Sequence, residues 1–307
     1  MMRQIKNIAV TLLLLISIQQ AKAQQQVMFT QYMFNGLAIN PAYAGSHDHI
    51  TATFLAREQW VGLEGAPASQ TFSIHSPFNA SGSANLGALL IHDKIGVTNQ
   101  TTAYMAFAYR IRFEGSARLA FGLQGGISNY NSRFSEISNV DPVFANADVN
   151  INRANFGAGL YFNTSRLYLG FSVPQLVRSR LDVNNSDSDS RLERHYFIQA
   201  GYLFDLNRDL KFKPNLLIKY VENAPVEFDV NANFLIKDLI WLGLSYRSFD
   251  SFDALIQVQL SKQLALGYSY DFATTTDLRR VNAGSHEFLI QYSFVFGKKK
   301  IISPRYF

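Results

Sequence analysis

The chain has 307 residues, with 28 Lys and Arg against 23 Asp and Glu and a formal net charge of +5. Arg3, Lys6 and Lys22 supply three of those positive charges from the first 23 residues; the remainder is near balance, offers no basic stripe, and no nucleic-acid partner is expected. The lack of cysteine excludes a disulfide scaffold, and the lack of a second long apolar run excludes a helical membrane protein but not a β-barrel, whose alternating strands average to a mean hydropathy near zero.

Arg3 and Lys6 precede the apolar run Ala9 to Ile18, and Ala21-Lys22-Ala23 follows it. That order reads as a signal peptide over 1–23, cut after Ala23, because a run of about ten apolar residues is roughly half of what a spanning helix requires. No Cys follows the run to carry a lipid.

Gln24 to Ser46 has neither strand alternation nor a helical stripe, and Asn40-Pro41 and Ala44-Gly45 are turn punctuation. The segment 24–47 is therefore read either as a plug inside a barrel or as a periplasmic leader. Its motif Asn40-Pro41-Ala42-Tyr43-Ala44-Gly45 resembles the opening of the PorP/SprF family of outer-membrane proteins associated with the type IX secretion system. Arg57-Glu58-Gln59-Trp60-Val61-Gly62 with Ala66-Pro67 is a second family-like patch, and Ser303-Pro304-Arg305-Tyr306-Phe307 is a third. The resemblance implies a non-enzymatic component of type IX export and surface anchoring, supporting export or display of a large surface protein or gliding adhesin. It also implies partners: periplasmic and lipoprotein parts of the machinery, and the exported protein as cargo.

From residue 48 to 297 a period of two recurs. In the last strand Phe288, Ile290, Tyr292, Phe294 and Phe296 oppose Glu287, Leu289, Gln291, Ser293 and Val295; Leu264, Leu266, Tyr268, Tyr270 and Phe272 oppose Ala265, Gly267, Ser269 and Asp271. An aromatic-rich face on strands of about ten residues suits outer-membrane lipid. The fold expected is all-β, a transmembrane antiparallel β-barrel of about 14 strands, an even number as bacterial barrels require. Short connections at 114–117, 163–166, 237–238 and 261–263 alternate with long ones at 131–154, 175–193 and 274–284. Short periplasmic turns and long external loops then place both termini in the periplasm. Pro77 to Ala84 is too long for a periplasmic turn and fits that rule poorly.

The opposite faces carry small polar residues with charges, and Arg110, Arg112, Asp229, Arg247, Asp271, Glu287 and Gln291 are candidate lumen residues. Bulky Leu235, Leu255 and Leu289 share that face, which suits a filled lumen better than the charged lining of a diffusion porin or substrate transporter, the alternative function. None of the six histidines sits in a nucleophile or metal signature, so no catalysis, cofactor or metal is expected. Asp187 and Asp189 lie in a polar run lacking the glycine and distal glutamate of a Ca²⁺ loop. The tail 298–307, with Lys298 to Lys300 followed by Ser303 to Phe307, is a candidate periplasmic segment for capture by a partner.

Overall fold

The computed structural model describes residues 26–79, 81–136, 148–180, 191–248, 250–273 and 282–295. The signal segment, the Asp187/Asp189 run and the tail with Ser303, Pro304, Arg305, Tyr306 and Phe307 lie outside the described residues.

Fourteen antiparallel strands close into a barrel. They are β1 (Ile50–Glu58), β2 (Ala68–Pro77), β3 (Ala84–Ile95), β4 (Thr98–Arg112), β5 (Arg118–Ser132), β6 (Val149–Asn163) and β7 (Leu167–Val173). On the other side follow β8 (His195–Tyr202), β9 (Leu210–Val221), β10 (Glu227–Ile236), β11 (Ile240–Arg247), β12 (Ser251–Gln259), β13 (Leu264–Ala273) and β14 (Ser285–Phe294). Each strand pairs with its sequence neighbours, and β14 returns to β1 with Arg57 opposite Glu287, so no edge is left unpaired. No helix among the described residues is long and apolar enough to cross a membrane. Strands cross instead, satisfying their backbone groups in the ladder as a bilayer demands.

The two faces separate as alternation requires. Phe288 and Ile290 are 56 % and 47 % exposed, whereas Glu287 and Leu289 are 0 % and 1 %. The turns are built by local chemistry. Lys237 and Asp238 both take positive φ, the geometry that suits a tight hairpin between twisted strands. The long Pro77–Ala84 connection is a turn held by Asn79, whose Oδ1 accepts from the N–H groups of Ser83 and Ala84. One boundary differs from the sequence reading: β5 runs to Ser132 and β6 starts at Val149, so part of the polar stretch read as a loop is paired strand. Polarity there reports where lipid ends, not where the ladder ends.

Candidate functional site

The site is the barrel interior. Residues Phe29 to His47 are buried almost throughout, in three single-turn 3-10 helices, Tyr32–Phe34, Gly36–Ala38 and Pro41–Tyr43. Their side chains make up much of the core: Leu37, Ala42 and Tyr43 pack with Tyr161 and Tyr168 of β6 and β7. Tyr32, Met33 and Ile39 pack with Phe197, Leu217 and Leu255. The segment therefore occupies the lumen, and inward residues that would line an empty pore bind it instead.

At its amino end the segment is held by a carboxylate. Glu287 accepts the N–H groups of Thr30 at 2.9 Å and Gln31 at 2.8 Å, while the Thr30 hydroxyl donates to Asp271 at 2.9 Å. Arg57 bridges the two acids, 2.5 Å from Asp271 and 3.3 Å from Glu287, and donates to Thr30 Oγ1 at 3.0 Å. Arg247 reaches the same oxygen at 3.3 Å and pairs with Asp229 at 3.2 Å. Burying these ions costs several kcal/mol each; pairing among the wall residues and hydrogen bonds from Thr30 and Gln31 of the segment offset part of it.

At the carboxyl end the sign reverses. Arg110 Nη1 donates to Gly45 O at 2.6 Å and Nη2 to Ala44 O at 3.3 Å, and Gly45 N–H donates to His75 Nδ1 at 3.2 Å. Between the two anchors Asn40 caps the third 3-10 turn, its Oδ1 accepting from Ala42 N–H at 2.9 Å with Pro41 next in the turn. The amide of Asn40 donates to Leu160 O at 2.9 Å. Asn35 joins β2 through Thr71 at 3.0 Å and Ser73 at 2.8 Å, and Gln291 donates to Phe34 O at 3.3 Å. Tyr43 meets the rings of Tyr161 and His75 edge-on at 5.4 and 5.5 Å. The wall is glycine where the segment presses closest: a Cβ at Gly122 would lie 2.1 Å from Ala42 N, and one at Gly159 2.1 Å from Asn40 Oδ1.

Every residue of the Asn40–Gly45 motif is thus inside the barrel. Arg110, Asp229, Arg247, Asp271 and Glu287 are inward and buried, and Gln291 is partly buried. Arg112 is a correction: it shares the parity of Arg110, but β4 ends there and the side chain is exposed at the turn rim beside Gly82. Arg57, Thr30, Asn35, Gly122 and Gly159 were missed. Inward parity could have flagged Arg57; the rest carry no signal in one sequence.

The segment also has a direction. Gln26 donates its N–H to His195 Nε2, at the start of β8, and Thr30 lies near the ends of β1 and β13, all on the long-loop end. His47 hydrogen-bonds Thr51 at the foot of β1, on the short-turn end. The segment threads the lumen from loop end to turn end, so Gln26 lies at the end opposite the start of β1; the two termini themselves, expected in the periplasm, lie outside the described residues. Among the described residues no group of three His, Asp or Glu could hold a metal ion, the His47, His49 and His75 cluster included.

Lipid-facing strands closed without an edge, around a lumen filled by the chain's own amino-terminal segment, define a plugged outer-membrane β-barrel. Residues 21–292 match the family described as "Type IX secretion system membrane protein PorP/SprF". The chain belongs to that family. The fold is similar to the "CymD monoaromatic hydrocarbon channel", with a TM-score of 0.54 at 10 % identity over 89 % of this chain and 94 % of that one. It is also similar to the "TodX deltaS2S3 mutant monoaromatic hydrocarbon channel", with a TM-score of 0.50 at 8 % identity over 88 % and 95 %. These likenesses are of fold alone. No curated protein matches the sequence.

Proposed function

We propose that the protein is a non-enzymatic platform of type IX secretion, supporting export or display of a large surface protein or gliding adhesin, with its rims and not its lumen as the working surfaces. The observation that carries this reading is the double anchoring of the plug, by Glu287 at one end and Arg110 at the other. A diffusion porin needs an open lining, and here the lining is spent on the chain itself. Family membership supplies the machinery, and the partners on this reading are its periplasmic and lipoprotein components and one exported protein. The tail, Ser303 to Phe307, is the proposed periplasmic contact.

The test compares a deletion strain with one producing the barrel truncated after Ile302. The deletion should abolish surface display of the cargo, and the truncation should do the same while leaving a heat-modifiable barrel at normal abundance. In planar bilayers the purified barrel should conduct far less than an open porin. Porin-like conductance together with normal display in the deletion strain would replace this reading with the transporter one.

A further inference from the structure

The barrel is not equally tall all round. β4, β5 and β6 have 15 residues each and β3 has 12, whereas β10 to β14 have 8 to 10. The outward faces show what the extra length does. Strand register places Leu90, Ala103, Ile127 and Ala154 in one row across β3 to β6. The next outward row toward the loop end is His92, Thr101, Asn129 and Asn152, and the one beyond is Lys94, Asn99, Asn131 and Asn150. Two consecutive rows without an apolar side chain do not face hydrocarbon. The row of Asn131, four residues beyond Ile127, stands about 13 Å further along the strand axis. On the opposite side the outward residues remain aromatic to the strand ends, at Phe228, Tyr246, Phe252 and Phe272, as at a membrane interface. The β3–β6 wall therefore stands clear of the bilayer on the loop side, while the β10–β14 wall ends at its surface.

The inner face of the raised wall is not polar in the same way. Ile91, Ile95 and Tyr130 look across a cavity of about 240 Å³ at Val27 and Phe29, the first part of the plug. Asp93, Glu193 and His195 also line it, and among the described residues no Lys or Arg does. Arg178 neutralises Glu193 at 3.2 Å; Asp93 has a neutral partner, the Ser69 hydroxyl at 2.5 Å. Among the described residues the site faces the loop side, floored by the plug and walled by strands beyond the lipid, with Asp93 as its acidic group lacking a cationic partner.

We infer that this cavity is a docking site for an extended, apolar segment carrying a basic side chain, supplied by the exported surface protein. This rests on the proposed function and names its contact on the cell surface. Three features select that occupant. The polar outer rows keep lipid away, so the visitor comes from water; the Ile91, Ile95 and Tyr130 wall offers apolar contact; and Asp93 offers one carboxylate for a cation. The cavity is too small for a folded domain and the plug stops passage, so the segment binds at the mouth and goes no further.

The experiment places a photo-crosslinking phenylalanine derivative at Ile95 and, as a control, at Leu123 on the lipid face, in cells displaying the cargo. An adduct is expected at Ile95 with the protein whose display the barrel supports, sensitive to protease added to intact cells, and none at Leu123. Asp93→Lys reverses the charge and Gln100→Trp fills the cavity; each should cut display several-fold with barrel abundance and heat shift unchanged. Gln100→Trp keeps the test valid if the loss of Asp93 disturbs folding. If both variants display cargo normally, or Ile95 gives no more adduct than Leu123, the docking site is wrong. If deletion of the whole barrel leaves display intact, the proposed function fails first.

Discussion

Glu287→Ala probes the plug where its attachment is most concentrated. The substitution strands the N–H groups of Thr30 and Gln31, which now lie 2.9 and 2.8 Å from the carboxylate in a fully buried setting. Each orphaned buried donor costs about 1–3 kcal/mol, about 4 kcal/mol for the pair at mid-range. Arg57 keeps Asp271 at 2.5 Å, so the cost of about 3–5 kcal/mol for a buried charge left alone is largely avoided. At about 1.4 kcal/mol per factor of ten, local opening of the plug's amino end becomes on the order of a thousandfold more frequent. The wall's own ladder is untouched, so the heat-modifiable barrel should persist. Hydrogen exchange on the detergent-solubilised protein reads the effect directly: the amides of Thr30 and Gln31 should lose protection, those of Ala42 to Gly45 should lose much less, and Arg112→Ala should change neither. Unchanged exchange at Thr30 and Gln31 would refute the reasoning, because the carboxylate would then not be what holds them.

Three further outcomes are expected. Ile290→Arg on the lipid face should cost about 2–4 kcal/mol near the midplane, read as a lowered urea midpoint for barrel unfolding, and an unshifted midpoint would mean the face is not in lipid. Gly122→Ala puts a methyl against the backbone of Ala42, an overpacking worth about 1–3 kcal/mol, and should raise hydrogen exchange at Ala42 and Tyr43 without reducing barrel abundance; unaltered exchange there would show that the plug is not pressed on β5. Epitope tags at 184–190 and immediately before Gln26 should both bind antibody on whole cells while one at 163–166 stays hidden; labelling at 163–166 alone would invert the barrel.

The wall was legible because lipid tolerates so little. Every lipid-facing side chain must be apolar, and Phe288, Ile290 and Tyr292 therefore stand two apart with little choice in the matter. The same alternation pointed Arg110, Asp229 and Glu287 inward. It could not say how high along the axis a residue sits, which is why Arg112, on the right face, was wrongly assigned to the lumen. The plug was legible only as an interruption: Gln24 to Ser46 has no period because its partners lie on many strands. Asn40 reaches Leu160 and Thr30 reaches Glu287, and contacts at such separations leave no local pattern. Its direction of threading follows from those contacts alone. The glycines at 122 and 159 were invisible for a related reason, since a strand glycine has several uses and only the approach of Ala42 and Asn40 reveals this one.

The plug's strongest anchor lies on the seam that closes the barrel. Arg57 of β1 and Glu287 of β14 are register partners across that seam, and both bind Thr30. Neither can be paired before the last strand meets the first, since until then Arg57 faces an unpaired edge and Glu287 has no guanidinium beside it. Burying either ion alone costs several kcal/mol, and the segment that excludes water from Asp271, Glu287 and Arg57 also supplies the Thr30 and Gln31 N–H groups that Glu287 accepts. With the segment present, the same closure pairs all three ions and fixes Thr30 and Gln31 in one step. Closing the wall and locking the plug thus draw on the same side chains, Arg57 and Glu287, so the seam and the plug's amino end reinforce each other.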